Sequence, residues 1–239
     1  MSGRPIEATD DSGQKERLNK FLAFHLGISR READEMIAAK KVSINDQVAQ
    51  LGAKIECDKD QVKVNGNALA LRQRFSYYQL NKPVGYVCSR RRQGDAPTIF
   101  ELLPKEMRHL KSVGRLDKDS SGLILLSDDG NFANRMTHPS YQKNKIYEVE
   151  LDKALAPLHR QMIADFGVEI GDGVSKLGLT RLKDDNDKKW RVEMSEGRNR
   201  QIRRTFAALG YTVTKLHRTN FGRYSLGKQK PGTWIEISS

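Results

Sequence analysis

"VGRLDKDSSGLILLSDDG", Val113 to Gly130, sets two apolar runs of β-strand length around a tight cluster of Asp, Lys and Ser. Three readings compete for that cluster: a metal loop, a polar turn between strands, and the seat of a catalytic carboxylate. Asp117, Asp119, Ser121 and Gly122 follow the D-x-D-x-S-G spacing of a calcium loop, and Asp128 stands where its last ligand would be. The context argues against metal. Such a loop leads into an amphipathic helix, whereas "GLILLS" is a short continuous apolar run with the length and flanks of a buried strand. Leu125 also stands where an oxygen ligand is usual. Between turn and catalysis the stretch alone does not choose, because Asp and Ser serve any turn.

The 239 residues carry 42 Lys and Arg against 30 Asp and Glu, a formal net charge of +12. Such a molecule is drawn to polyanions, and nucleic acid is the leading partner. A hydrophobic content of 37% can build a core, and the length suits a small domain followed by a larger one. There is no long apolar run, and "MSGRPIEATDDSGQKER" is not built like a signal peptide, so a cytoplasmic monomer without membrane contact is expected. Cys57 and Cys88 lack metal-ligand spacing and read as two reduced thiols. With no P-loop, G-x-G-x-x-G or zinc pattern, no metal and no nucleotide or other cofactor is expected.

Residues 1–14 are polar and aperiodic and read as a flexible tail. In "RLNKFLAFHLG", Leu18, Phe21, Leu22 and Leu26 recur at helical spacing, with Gly27 placed to end the helix. "SRREADEMIAAKK" opens with Ser29 as N-cap and Glu32 three residues on, a capping box, ahead of a stripe of Ala33, Met36 and Ile37. Arg30 and Arg31 then occupy an exposed first turn, where each cation opposes the helix dipole by a few tenths to about 1 kcal/mol. A binding role would explain them. "KVSIND", "AKI" and "DQVKVNGNAL" follow as short strands, with a turn at Asn65 and Gly66.

After "ALRQRF" the texture changes. "YYQLNKPVGYVCS" reads as strand, Lys-Pro turn, strand, and "TIFELLP" as a short helix stopped by Pro104. "NFANRMTH", "APLHRQMIADFG" and "RNRQIRRTFAALG" read as helices; "KIYEVEL", "LGLTRLK", "KWRVEMSEG", "YTVTKLHRTNFG" and "TWIEI" read as strands. Strands outnumber helices and are joined by short turns. The fold class is therefore α+β, with a mixed, mainly antiparallel sheet rather than a doubly wound parallel one.

The stretch "RLNKFLAFHLGISRREADEMIAAKKVSIN" resembles the S4 RNA-binding domain, which places such a domain at 15–72. That family presents a basic helical surface to structured RNA, which implies RNA-facing roles for Arg17, Lys20, Arg30, Arg31 and Lys40. Residues 75–239 are similar to RNA pseudouridine synthases of the group that carries an N-terminal S4 domain and acts on ribosomal RNA. "LNKPVGYVCS", "VGRLDKDSSGLILLSDDG", "KIYEVEL" and "EGRNRQIRRTFAALGY" stand in the order of that family's signature regions. The resemblance implies that Asp117 is catalytic and that Arg115 fills the RNA helix where the target base leaves. It implies that Tyr147 stacks on the flipped uracil and takes part in proton removal, that Arg203 pairs with Asp117, and that Ile202 packs in the pocket. Asn199 and Arg200, in the same motif as Arg203, are assigned to substrate binding. Ser120 stands where Thr is more usual and Thr205 where Met is common; neither supplies chemistry. The "GRLDKDSSGL" and "NRQIRR" forms look closer to the large-subunit branch, which makes large-subunit ribosomal RNA the preferred substrate.

The chemistry fits these residues. Turning uridine into pseudouridine breaks N1–C1′ and joins C5 to C1′ without net redox change, so no cofactor is called for. It needs a carboxylate to act as nucleophile or to balance positive charge at the sugar. It needs an aromatic face to hold the detached base, and an acceptor for the C5 proton. Unstacking the base costs a few kcal/mol, which a side chain filling the gap offsets. The rival class is a non-catalytic S4-type ribosome-assembly factor. It predicts the same charge but has no use for a carboxylate facing RNA. A metal-dependent phosphodiesterase would need grouped ligands, and His25, His109, His138, His159 and His217 are scattered.

Overall fold

Two short helices begin and end where local chemistry dictates. Leu18–Leu26 is closed by Gly27, whose φ of 71° lets its N–H turn back onto the Ala23 and Phe24 carbonyls. Arg30–Ala38 starts at a complete capping box, in which Glu32 N donates to Ser29 Oγ at 3.1 Å and Ser29 N donates to Glu32 Oε2 at 2.6 Å. The computed structural model describes residues 15–57, 59–71, 74–183 and 186–238, so the expected flexible tail at 1–14 lies outside the described residues. The chain divides into two units, Met1–Arg74 and Phe75–Ser239.

In the first unit the helices bury Leu18, Phe21, Leu22, Ala33 and Ile37 with Val42, Ile55 and Val62; Leu26 and Met36 lie half-buried at the margin. An antiparallel sheet runs in the order Gln47–Val48, Val42–Ile44, Val62–Val64, Asn67–Ala68. Asn45 and Asp46 have φ of 48° and 68°, and Asn65 and Gly66 have 50° and 80°. Positive φ at both central residues is what a tight two-residue hairpin requires. "AKI" does not join this sheet: Lys54–Glu56 pairs instead with Lys15–Arg17.

The second unit is built on a nine-stranded sheet. Its main path runs Gly178–Arg181, Lys189–Met194, Lys145–Leu151, Val213–Phe221, Ser121–Ser127, Tyr77–Lys82, Trp234–Glu236. Lys111–Val113 pairs with Ser121–Ser127, and Tyr224–Ser225 with Val213–Phe221. The pairings are antiparallel except that of Val213–Phe221 with Ser121–Ser127, so the sheet is mixed and mainly antiparallel. The continuous apolar run "GLILLS" now has its cause. Leu123 and Leu125 join one core cluster, with Phe132, Met136 and Phe221, while Ile124 and Leu126 join another, with Val149, Trp190 and Phe206. A strand covered on both faces has no polar side to show.

Three expectations shift locally. "GYVCS" is not a strand, and Val87 makes a single parallel bridge to Thr98. "APLHRQMIADFG" begins as an α-helix, Pro157–Gln161, and widens into a π turn over Met162–Phe166 that stops at Gly167. The helix expected from Arg198 begins at Gln201, because Arg200 takes a left-handed conformation with φ 47°.

Candidate active site

Strand Lys111–Val113 ends where Gly114 turns with φ 75°, and the chain then forms the loop Arg115–Ser120 before Ser121–Ser127 begins. Beneath this loop lies Lys82, fully buried at 0% exposure. Its ammonium donates to the carbonyls of Pro83 at 3.0 Å, Asp117 at 3.0 Å and Ser120 at 2.6 Å. Burial holds its pKa below the ordinary lysine value, with Cys88, Asp117 and Asp119 pulling the other way. A buried cation spent wholly on backbone carbonyls acts as a staple, and what it staples is the backbone of Asp117.

Above the loop the expected partners are redistributed. Arg203 does not pair with the Asp117 carboxylate. Its Nη1 donates to Val213 O at 2.7 Å and its Nη2 to Asp119 O at 2.9 Å, while Nε lies 3.3 Å from Asp119 Oδ2. Arg200 grips Asp119 through both oxygens, at 3.1 Å each, and its Nη1 lies 3.5 Å from Asp117 Oδ2. Arg200, in a left-handed turn just ahead of the helix, takes the place nearest Asp117 that the resemblance gave to Arg203. Burial works against the charge of Asp119, but Arg200 and Arg203 overcome it and hold that carboxyl below its usual range. These cations on its carboxylate also set aside the calcium reading of the loop. Among the described residues no three metal-ligating side chains converge.

Asp117 itself keeps 34% of its side chain exposed. Leu116, Tyr147 and Ile202 share the larger core cluster, so the floor beside the loop is apolar. Tyr147 is 7% exposed, its ring packed into that floor. Arg115 and Asn199 are exposed and without side-chain partners among the described residues. The structure thus gathers Asp117, Arg200, Arg203 and Ile202 around one loop and helix, and puts Tyr147 in the same apolar cluster as Leu116.

In the first unit Arg17, Arg31 and Lys40 are exposed and unpaired among the described residues. Lys20 is bound to Glu16 at 2.6 Å, and Arg30 donates to Asn19 Oδ1 at 3.0 Å. Three side chains escaped the sequence reading. Lys82 looked like part of a turn, though a lysine closing a strand just before Pro83 was the available signal. Asp119 looked like one more turn residue. Arg218, buried at 2% exposure, gave no signal within "KLHRTNFG".

Comparison with known proteins places the whole chain in a family. A family model described as RNA pseudouridylate synthase matches residues 76–208, and one for the S4 domain matches residues 16–62. The chain is 36% identical to the ribosomal small subunit pseudouridine synthase A of Yersinia pestis, over 93% of this chain and 97% of that protein. It is 35% identical to the ribosomal large subunit pseudouridine synthase B of Buchnera aphidicola subsp. Baizongia pistaciae (strain Bp), over 93% and 94%. A crystal structure of a pseudouridylate synthase superposes with a TM-score of 0.66 at 32% identity, covering 93% of this chain and 96% of that one. The chain belongs to the RNA pseudouridylate synthase family and is an isomerase that carries an S4 domain. No helix among the described residues is long and apolar enough to cross a membrane.

Proposed function

We propose that this enzyme isomerises a uridine of ribosomal RNA in the cytoplasm, with Asp117 as the carboxylate that acts on the reacting nucleotide. The observation that carries the reading is the Asp117 loop itself. Its backbone is stapled from below by Lys82, while its carboxylate stays open, with Arg200 as the nearest cation at 3.5 Å. A fixed backbone with a free carboxylate suits a group that must meet a substrate atom in one geometry.

The target uridine leaves its stack, and Arg115, exposed and unpaired, fills the gap. The uracil then lies on the apolar floor against Tyr147. N1–C1′ breaks while Asp117 acts as nucleophile or balances the charge at the sugar; the base turns; C5 joins C1′; and the C5 proton leaves as N1 gains one. Arg203 holds the loop carbonyl of Asp119 in this scheme and acts on Asp117 through the backbone.

Relatives named for the small and the large subunit match at almost equal identity. Ribosomal RNA is therefore favoured by similarity, and the large subunit by the motif forms alone. Asp117→Asn should bind the same RNA with unchanged affinity and form no pseudouridine. Substantial product from that variant would overturn the mechanism. Mapping pseudouridines in total RNA from cells with and without the gene should show one missing site in the large-subunit RNA. A missing site in small-subunit RNA or in tRNA would correct the address.

A further inference from the structure

Asp117 and Tyr147 belong to opposite halves of the sheet. The Asp117 loop feeds strand Ser121–Ser127, which lies with Tyr77–Lys82, Lys111–Val113 and Trp234–Glu236. Tyr147 stands on Lys145–Leu151, between Lys189–Met194 and Val213–Phe221. Among the described residues the halves are joined by one ladder, the parallel one, and its register holds two pairs: His217 with Ser121, and Arg218 with Gly122. On their other side, His217 and Arg218 pair with Glu148 and Tyr147. One dipeptide therefore stands between the carboxylate loop and the aromatic platform.

A two-pair ladder is a weak joint on backbone bonds alone, and side chains reinforce it at each end. Ser121 Oγ and His217 Nδ1 share a hydrogen bond of 2.9 Å. Arg218 Nε donates to Leu123 O at 2.7 Å, and its guanidinium lies 4.8 Å from the centre of the Phe221 ring. Between these two bonds sits Gly122, with φ 106°. A Cβ there would lie 2.2 Å from the Arg218 carbonyl oxygen and 2.6 Å from its nitrogen, so only glycine permits this approach.

Arg218 is an unusual choice for a structural filler. Its Nη2 is buried with no hydrogen-bond partner among the described residues. A buried unmet donor is destabilising, and a well-packed apolar side chain would commonly serve stability as well or better. We propose that Arg218, together with the Ser121–His217 pair, is a positioning clamp that sets the spacing between Asp117 and Tyr147. The clamp does not touch RNA; it acts through the two strands it joins. This rests on the reading in which Asp117 and Tyr147 engage one flipped uracil.

The test measures kcat and KM separately on one RNA substrate. Arg218→Met should lower kcat by on the order of 100-fold, the effect of an ångström-scale misplacement, while KM stays within about threefold of wild type. Arg218→Lys should recover part of that loss by restoring a donor near Leu123 O. Ser121→Ala, which removes one hydrogen bond and leaves the core intact, should lower kcat by roughly tenfold with KM unchanged, and it keeps the test decisive where Arg218→Met does not fold. Ile163→Ala, a cavity at the π turn, serves as the destabilised control and should keep its kcat. If Arg218 or Ser121 variants lose no more kcat than this control, or if the loss falls on KM, the clamp is refuted. Failure of the underlying reading shows differently: Asp117→Asn would then retain turnover, whatever the clamp variants do.

Discussion

Replacing Lys82 with Met keeps most of the stem and deletes three donors at once. The ammonium bonds three carbonyls, those of Pro83, Asp117 and Ser120. Bonds from a charged donor contribute roughly 1.5–3 kcal/mol each, so the gross loss is about 4–9 kcal/mol. Against this stands the cost of holding an ammonium at 0% exposure, several kcal/mol on general grounds and visible in its lowered pKa. The difference is about 2–3 kcal/mol of stability, a melting temperature lower by roughly 5–10 °C for a unit of this size. Catalysis should suffer more. With its staple gone the Asp117 backbone can drift by an ångström, which costs on the order of 100-fold in kcat. Single-turnover assays at 25 °C with saturating RNA, alongside thermal unfolding, separate the two effects. The pH dependence carries a sign of its own. Because the folded-state pKa of Lys82 lies below the unfolded value, the unfolded chain holds the extra proton between the two, and wild-type stability gains from this group as pH rises through that window. The gap between wild type and Lys82→Met should therefore widen toward the unfolded pKa. A Lys82→Met enzyme that keeps kcat within about threefold of wild type would refute the view that this lysine holds the catalytic loop.

Lys145 offers a second titration. Burial first, then Arg218, pushes its pKa from 10.5 down to about 8, with Glu196 opposing. Wild-type stability should climb between about pH 8 and 10.5, as the folded form sheds its proton first, and urea unfolding of Lys145→Met should lack that share of the climb. Arg31, exposed on the first turn of Arg30–Ala38, should show opposite effects on stability and affinity. Arg31→Ala should stabilise the helix by a few tenths of a kcal/mol, and should weaken RNA binding while reducing the salt slope by about one counterion. An unchanged slope would mean that Arg31 does not reach a phosphate.

The elements that could be read from the sequence are those whose causes are local. The Ser29–Glu32 capping box, the stop at Gly27 and the Asn65–Gly66 turn each depend on a few adjacent residues, and each stands where its pattern put it. The apolar run from Gly122 to Leu126 announced a strand buried on both faces. What escaped depends on contacts between distant segments. Lys82 binds backbone carbonyls, which carry no residue identity, so no side-chain pattern can encode its role. Arg218 works through a two-pair ladder to a strand almost a hundred residues earlier. The pairing of Arg203 with Asp117 was implied by the family resemblance and not by any local pattern, and the left-handed turn at Arg200, which sets that side chain nearest Asp117, leaves no signal in "RNRQIRR".

The corrected pairing explains more than the expected one would have. Two carboxylates, Asp117 and Asp119, share the loop with two guanidiniums, Arg200 and Arg203. Asp119 takes a two-pronged grip from Arg200 and the ion pair with Arg203 Nε, so both of its oxygens are committed. Asp117 has one guanidinium nitrogen at 3.5 Å, beyond good hydrogen-bond length. Had the same fork closed on Asp117, its lone pairs would be spent and its carboxylate would be a poorer nucleophile. By anchoring the arginines on the neighbour two residues along, the loop keeps their positive field beside Asp117 while leaving its oxygens free for a substrate atom. The backbone bonds from Lys82 and Arg203 complete the arrangement, since they fix the loop through Asp117 O, Ser120 O and Asp119 O and use no carboxylate oxygen of Asp117.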